Sequence, residues 1–270
     1  MKIIHFSDIH TGGRLSSLKS LFNKSVIGTL NYKLRRQKHV HWERLEKAIE
    51  VIKQEKPDLV INTGDITSVS DPKEFQEASQ RLKALVEDTS FQFINVPGNH
   101  DNYIENKECL ENRDLTYSYL NRQKFELKTF PLRIELEKIN LILVDESRPN
   151  SGTISSGLIK AEDIDKIKNW TQGNQLKPTI LIGHYPLLNK LGQPLPERRC
   201  LENSEALLEM LENRKIDVTL CGHIHAAFAR KHDIGSIEVC AGSLTIGGKL
   251  NKLEYNQSTG NFSQSWIDLK

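Results

Sequence analysis

The chain has 270 residues, 37% of them hydrophobic and 27% charged, and a formal net charge of +2. These values exclude an intrinsically disordered chain and a disulfide-stapled miniprotein, and no apolar run approaches membrane-spanning length. The length suits one large α/β domain with a core of its own, and residues 1–270 read as a single domain.

Residues 3–6 form the first predicted strand, and the apolar start is too short for a signal-peptide core. Residues 14–40 follow as a basic insert with seven Lys and Arg and no Asp or Glu. Its apolar positions Leu15, Leu18, Phe22, Val26 and Leu30 recur near helical spacing. A helix is predicted from His41, where Trp42, Leu45, Ile49 and Ile52 mark one face, and 59–61 read as the next strand. Phe75, Ala78, Leu82 and Leu85 predict a second helix, and 91–96 a third strand. This alternation favours parallel pairing with right-handed crossovers.

The middle of the chain reads differently. Residues 125–130, 132–136 and 139–144 are predicted as successive strands, in a pattern open to antiparallel pairing. Residues 147–157 are polar and turn-rich, and so read as a loop. A helix at Ile164, Ile167 and Trp170 precedes a strand at 179–182, and a helix around 206–211 feeds a strand at 217–221. A hairpin over 227–231 and 237–240, then strands near 253–256 and 262–268, close the chain.

Five short clusters lie just past predicted strands: Asp8-Ile9-His10, Gly64-Asp65, Gly98-Asn99-His100-Asp101, Gly183-His184 and Gly222-His223-Ile224-His225. Five of the nine histidines fall in them. One such His satisfies a core hydrogen bond more often than it binds a metal. Five clusters at one sheet edge reverse that balance. Carboxylate, amide and imidazole donors together suit Mn, Fe or Zn better than Ca. A carboxylate such as Asp65 can bridge two cations. The glycines permit sharp turns and close backbone approach. His5, His39, His41 and His232 lack a partner motif. Asp58 and Asp217 precede strands and belong to the opposite edge.

These clusters, in this order, resemble the five-motif signature of the calcineurin-like metallophosphoesterase superfamily. The resemblance spans residues 8–225. It implies an α/β fold, a four-layer α/β/β/α sandwich of two mixed sheets flanked by helices. It implies two divalent metal ions. Asp8, His10, Asp65 and His225 would hold the first; Asp65, Asn99, His184 and His223 the second. His100 would lie near the scissile phosphate without binding metal, and Asp101 would orient His100. The implied activity is hydrolysis of a phosphate ester by a hydroxide bridging the two ions.

A phosphodiester is the first expectation for the substrate. A pyrophosphatase acting on a lipid-linked nucleotide sugar such as UDP-2,3-diacylglucosamine is the alternative, supported only by the basic insert. That insert reads as a packed helical hairpin, as a cap over an anionic or lipid-bearing substrate, or as a contact with an anionic membrane surface. A nuclease is disfavoured because no extended basic stripe or aromatic platform accompanies it. A non-catalytic metal-binding scaffold is disfavoured by the intact Asn99-His100-Asp101 set. Cys109, Cys200, Cys221 and Cys240 form no Cys-x-x-Cys pair. Cysteine usage suited to reduced thiols, with a start that reads as a strand and not as a leader, predicts a cytoplasmic location, peripheral to the membrane if the insert binds lipid. No obligate protein partner is expected.

Overall fold

The chain begins with β1 (Lys2–Phe6), α1 (Trp42–Glu55), β2 (Leu59–Asn62), α2 (Pro72–Glu87), β3 (Gln92–Asn95) and α3 (Lys107–Leu120). It continues through β4 (Leu132–Glu135), β5 (Asn140–Leu143), β6 (Gly157–Leu158), α4 (Ala161–Thr171), β7 (Thr179–Ile182), β8 (Leu201–Glu202), α5 (Glu205–Glu212) and β9 (Val218–Cys221). It ends with β10 (Phe228–Lys231), β11 (Ile237–Cys240), α6 (Leu244–Gly247), β12 (Lys249–Asn256) and β13 (Asn261–Asp268). The structure, a computed structural model, describes residues 1–12, 39–103, 105–151, 153–173 and 176–269. The expectations for the basic insert at 14–40 therefore fall almost wholly outside the described residues.

Alternation along the strands builds the layers. Ile3, Leu59, Ile61, Ile94, Leu141, Leu143, Ile180, Ile182, Val218 and Leu220 share one buried core between two sheets. Ile4, Phe6, Val60 and Phe93 face the other way, onto Leu45 and Ile52 of α1, Phe75 and Leu82 of α2 and Tyr117 of α3. Ile142 and Leu181 likewise face Ile164 and Ile167 of α4 and Leu207 and Leu211 of α5. Strands apolar on both faces are stable only when both faces are covered. The result is the expected sandwich of two mixed sheets flanked by helices. The first sheet has the order β13-β12-β1-β2-β3, and the second β10-β11-β9-β7-β5-β4.

Strand direction, more than strand order, positions the loops. β1, β2 and β3 run parallel, and so do β5, β7, β9 and β11. Each parallel set therefore ends at one edge, the usual place for a site in such sheets. Asp58 and Asp217 sit at the opposite edge, where they accept from the backbone N–H of Lys2 and Thr179. Asp71 caps α2 by accepting from Lys73 N, with Pro72 at the first helical position.

One expected strand is absent. Residues 125–130 form irregular chain around a short 3-10 helix, Leu127–Thr129. Their backbone bonds are local: Thr129 N donates to Glu126 O and Phe130 N to Leu127 O. β4 and β5 pair antiparallel as expected. Among the described residues, no helix is long and apolar enough to cross a membrane.

Candidate metal centre

All five clusters emerge from strand ends onto the same edge of the sandwich. The loops after β1 and β2 run side by side: Asp8 N donates to Gly64 O, His10 N to Asp65 O and Thr11 N to Ile66 O. The loop after β9 closes from the other sheet, with His223 N donating to Asp8 Oδ2 at 3.1 Å. Gly222 allows that approach, since a Cβ there would meet Ser7 Oγ at 2.0 Å and Asp8 Oδ2 at 2.3 Å. Asp8, His10, Asp65, His223 and His225 all have left-handed backbones, with φ between 49° and 70°. Each such L-residue costs roughly 1–2 kcal/mol. Strain of this kind collects at functional sites, where the surrounding structure enforces it.

The side chains converge in two overlapping groups. Ligand atoms of Asp8, His10, Asp65 and His225 all lie within 4.8 Å of one another. Asp8 Oδ1 is 3.2 Å from His225 Nε2 and 3.5 Å from His10 Nε2. In the second group, Asp65 Oδ2 is 3.4 Å from His184 Nε2, and Asn99 Oδ1 is 2.8 Å from His223 Nδ1. Asp65 belongs to both groups, because its Oδ2 also lies 3.8 Å from His10 Nε2.

The donor set fits divalent cations. Asp8 Oδ1, Asp65 Oδ2 and His184 Nε2 are buried and make no hydrogen bond. An unsatisfied buried polar atom costs about 1–3 kcal/mol. Three such atoms facing one another are stable together when cations fill the space between them. Burial pushes the Asp8 carboxyl up, but the adjacent rings of His10 and His225 hold it well below the usual range. Asp65 is also held low: the charges of His184 and His100 outweigh its burial. Burial disfavours the charged His184 ring, yet the adjacent Asp65 carboxylate raises it to about 10. His223 goes down to about 3, through burial and repulsion from His184.

The imidazoles of His10, His184 and His223 are held from behind. His10 Nδ1 pairs with Thr67 O at 3.1 Å, His184 Nδ1 with Thr63 O at 2.6 Å and His223 Nε2 with Arg199 O at 3.1 Å. A carbonyl can only accept, so each contact fixes the proton on the outer nitrogen and turns the other nitrogen inward. His100 is fixed in the same way, with Nδ1 2.6 Å from Ser68 O. Its ring stacks on Tyr103 at 5.3 Å and meets the His10 ring edge-on at 4.9 Å.

The calcineurin-like phosphoesterase family matches residues 1–227. The chain belongs to this family. Glycerophosphodiester phosphodiesterase GpdQ of Enterobacter lignolyticus is 29% identical over 181 residues, 64% of this chain. This chain matches 57% of that relative's length. A subunit of the nuclease SbcCD from Staphylococcus saprophyticus is 34% identical over 103 residues, 37% of this chain and 23% of the relative. A dimetal phosphatase from Danio rerio shares the fold at a TM-score of 0.66, with 12% identity and coverage of 100% of this chain and 99% of that one.

Asp8, His10, Asp65 and His225, the group that could hold a metal ion, all lie within the residues that the family matches. One implied role changes. Asp101 does not act on the His100 ring by the direct route expected. Its Oδ1 accepts from Thr67 N and Thr67 Oγ1, and its Oδ2 from Ile66 N, Gly98 N and Tyr117 Oη. The His100 ring takes its Nδ1 partner from Ser68 instead. Asp101 therefore ties together the loops that carry Asp65 and Asn99. Burial and the charge of Asp65 raise Asp101 to about 6.

Tyr117, Glu146 and the carbonyls of Thr63, Thr67 and Arg199 had no counterpart among the sequence motifs. Glu146 Oε2 accepts from His184 N and Tyr185 N, and burial lifts its pKa to about 7. Carbonyl contacts carry no residue-type signature. A lone Glu after a strand gives a weak one.

Proposed function

We propose that this protein is a binuclear metal-dependent phosphodiesterase. The observation that carries the proposal is the convergence of Asp8, His10, Asp65, Asn99, His184, His223 and His225 around orphaned buried atoms. Asp8, His10, Asp65 and His225 would hold the first ion, and Asp65, Asn99, His184 and His223 the second. Mn, Fe and Zn match the mixed oxygen and nitrogen donors. Such a pair of cations supplies Lewis-acid polarisation of the ester and a nucleophile at neutral pH.

The chain's own residues complete the chemistry. His100 donates no ligand in this scheme. With its Nδ1 proton committed to Ser68 O, it exchanges protons at Nε2, on the leaving oxygen of the ester. The Tyr103 ring stacked on it limits its rotation. Asp101 keeps the two ligand loops in register.

A diester is the favoured substrate class because the glycerophosphodiester phosphodiesterase relative aligns over 64% of the chain, against 37% for the nuclease relative. The deciding experiment is turnover of bis-p-nitrophenyl phosphate and p-nitrophenyl phosphate by protein reloaded with Mn. The diester is expected to be the better substrate. Preference for the monoester would overturn the diester assignment, and no turnover with Mn, Fe, Zn or Co would favour a metal-binding scaffold.

A further inference from the structure

His184 and Tyr185 take their backbone positions from a single buried oxygen. Glu146 follows the end of β5, beside the end of β7, its parallel neighbour. Its Oε2 accepts from His184 N at 2.8 Å and from Tyr185 N at 2.9 Å. The residue is 2% exposed. Gly183 packs so closely on the carboxylate that a Cβ there would lie 2.6 Å from Oε1. The side chain therefore has little room to adopt a second position.

Both residues that Glu146 holds reach the second group of ligands. His184 carries one of those ligand nitrogens. The Tyr185 ring lies 4.4 Å from the ring of His223 and 5.3 Å from that of His184. Tyr185 is fixed at its far end, where the hydroxyl donates to Ser155 O at 3.0 Å. Its ring also lies against Gly157, where a Cβ would approach to 2.5 Å. Glu238 continues the same pattern along the loop: Oε1 accepts from Leu187 N at 2.6 Å, and Arg230 pairs with the carboxylate. The first group has different supports, in the Thr67 carbonyl behind His10 and the Gly64 carbonyl under Asp8.

We infer that Glu146 is the positioning residue of the second ion subsite. It sets His184 directly and His223 through Tyr185, and it acts as a hydrogen-bond acceptor rather than as a charge. Both its partners are N–H donors that share one oxygen, so a neutral carbonyl at the same reach serves equally. This inference rests on the binuclear reading above.

The test is a Mn titration of the full-length, metal-stripped protein, with bound ions counted by mass spectrometry and free Mn by electron paramagnetic resonance. The unaltered protein is expected to bind two ions. Glu146→Leu removes the acceptor and should weaken the second ion about 10–100-fold, the usual effect of losing such a support. The first ion should bind as before, which also shows that the variant is folded. Glu146→Gln keeps the acceptor and should return the second ion to within about threefold of its original affinity. Glu146→Asp keeps the charge but falls short of the two N–H groups, so it should also weaken the second ion, and it decides the matter if Glu146→Leu does not fold. Unchanged affinity in Glu146→Leu and Glu146→Asp, or equal weakening of both ions, overturns the inference and leaves the binuclear reading standing. Failure of Glu146→Gln to restore the second ion overturns the acceptor role. Fewer than two ions in the unaltered protein overturns the binuclear reading itself.

Discussion

The Nε2 atoms of His10 and His225 lie 2.8 Å apart, although 215 residues of chain separate them. Two neutral imidazoles can share one proton at that distance, and Asp8 Oδ1 beside them remains without a hydrogen bond. A cation bound there would engage all three atoms. Stripping the protein with a chelator should therefore lower its melting temperature. At free ion about 100 times above Kd, binding adds about 2.7 kcal/mol, worth roughly 5–10 °C in a chain of this size. Calorimetry with and without Mn measures it directly. Identical melting curves would count against any tight ion at this place.

His100 adjoins the proposed ligands, with its backbone N–H on Asp65 Oδ1 and its ring between Tyr103 and His10. His100→Ala should lower kcat by about 10²–10⁴-fold, the usual worth of a positioned acid or base, and leave two ions bound. Steady-state rates and a metal count on the same sample separate these quantities. Loss of an ion would move His100 into the ligand set.

Gly98 lies under both ligand groups. A Cβ there would meet Asp65 Oδ1 at 2.3 Å, Asp65 N at 2.6 Å and His184 Cε1 at 2.7 Å. Gly98→Ala should cost about 1–3 kcal/mol of stability through overpacking and displace Asp65, the carboxylate common to both groups. Urea unfolding and metal content should fall together. Full metal occupancy in a stable variant would refute the close packing described.

His5 is buried inside the first sheet, between Thr63 Oγ1 at 3.0 Å and Asn251 Nδ2 at 3.3 Å. Burial depresses it to about 3, with the charge of Asp8 only partly opposing. The unfolded chain then takes up a proton below 6.5 that the folded chain refuses until about 3. Stability should fall as pH drops through this window, by up to about 1.4 kcal/mol per pH unit from this group. His5→Gln removes that contribution. In metal-free protein, the two stabilities should converge by roughly 2 kcal/mol between pH 7 and pH 5. Parallel curves would mean that His5 is protonated in the folded state.

The candidate metal centre was legible because five of the nine histidines recur beside carboxylates and glycines at strand ends. The inner strands β1, β2, β5, β7, β9 and β11 were legible from short runs rich in aliphatic residues. Helix α3 was not. Its buried residues Cys109, Thr116, Tyr117 and Leu120 are mostly not aliphatic, while Leu115 is 71% exposed, so no apolar stripe marks one face. Residues 125–130 misled in the opposite direction. Phe125, Leu127 and Phe130 imitate a strand, yet they pack around a local turn whose hydrogen bonds never leave the segment. The supports of the site were hidden for a further reason. Tyr117 and Glu146 act on partners 16 and 38 residues away, and no periodicity records such a pairing.

The two sheets supply the ligands unequally and late. Asp8, His10, Asp65 and Asn99 come from the first three parallel strands, but His184, His223 and His225 arrive only with β7 and β9 of the other sheet. In chain order, Asp8 and Asp65 thus precede three of the four imidazoles proposed to hold the ions beside them. In the proposed centre, ion capture would report completed assembly: until the faces of the sandwich meet, neither ion would have a full set of donors. A chain cut before Gly222 would keep His184 and yet lack His223 and His225, one proposed donor of each ion.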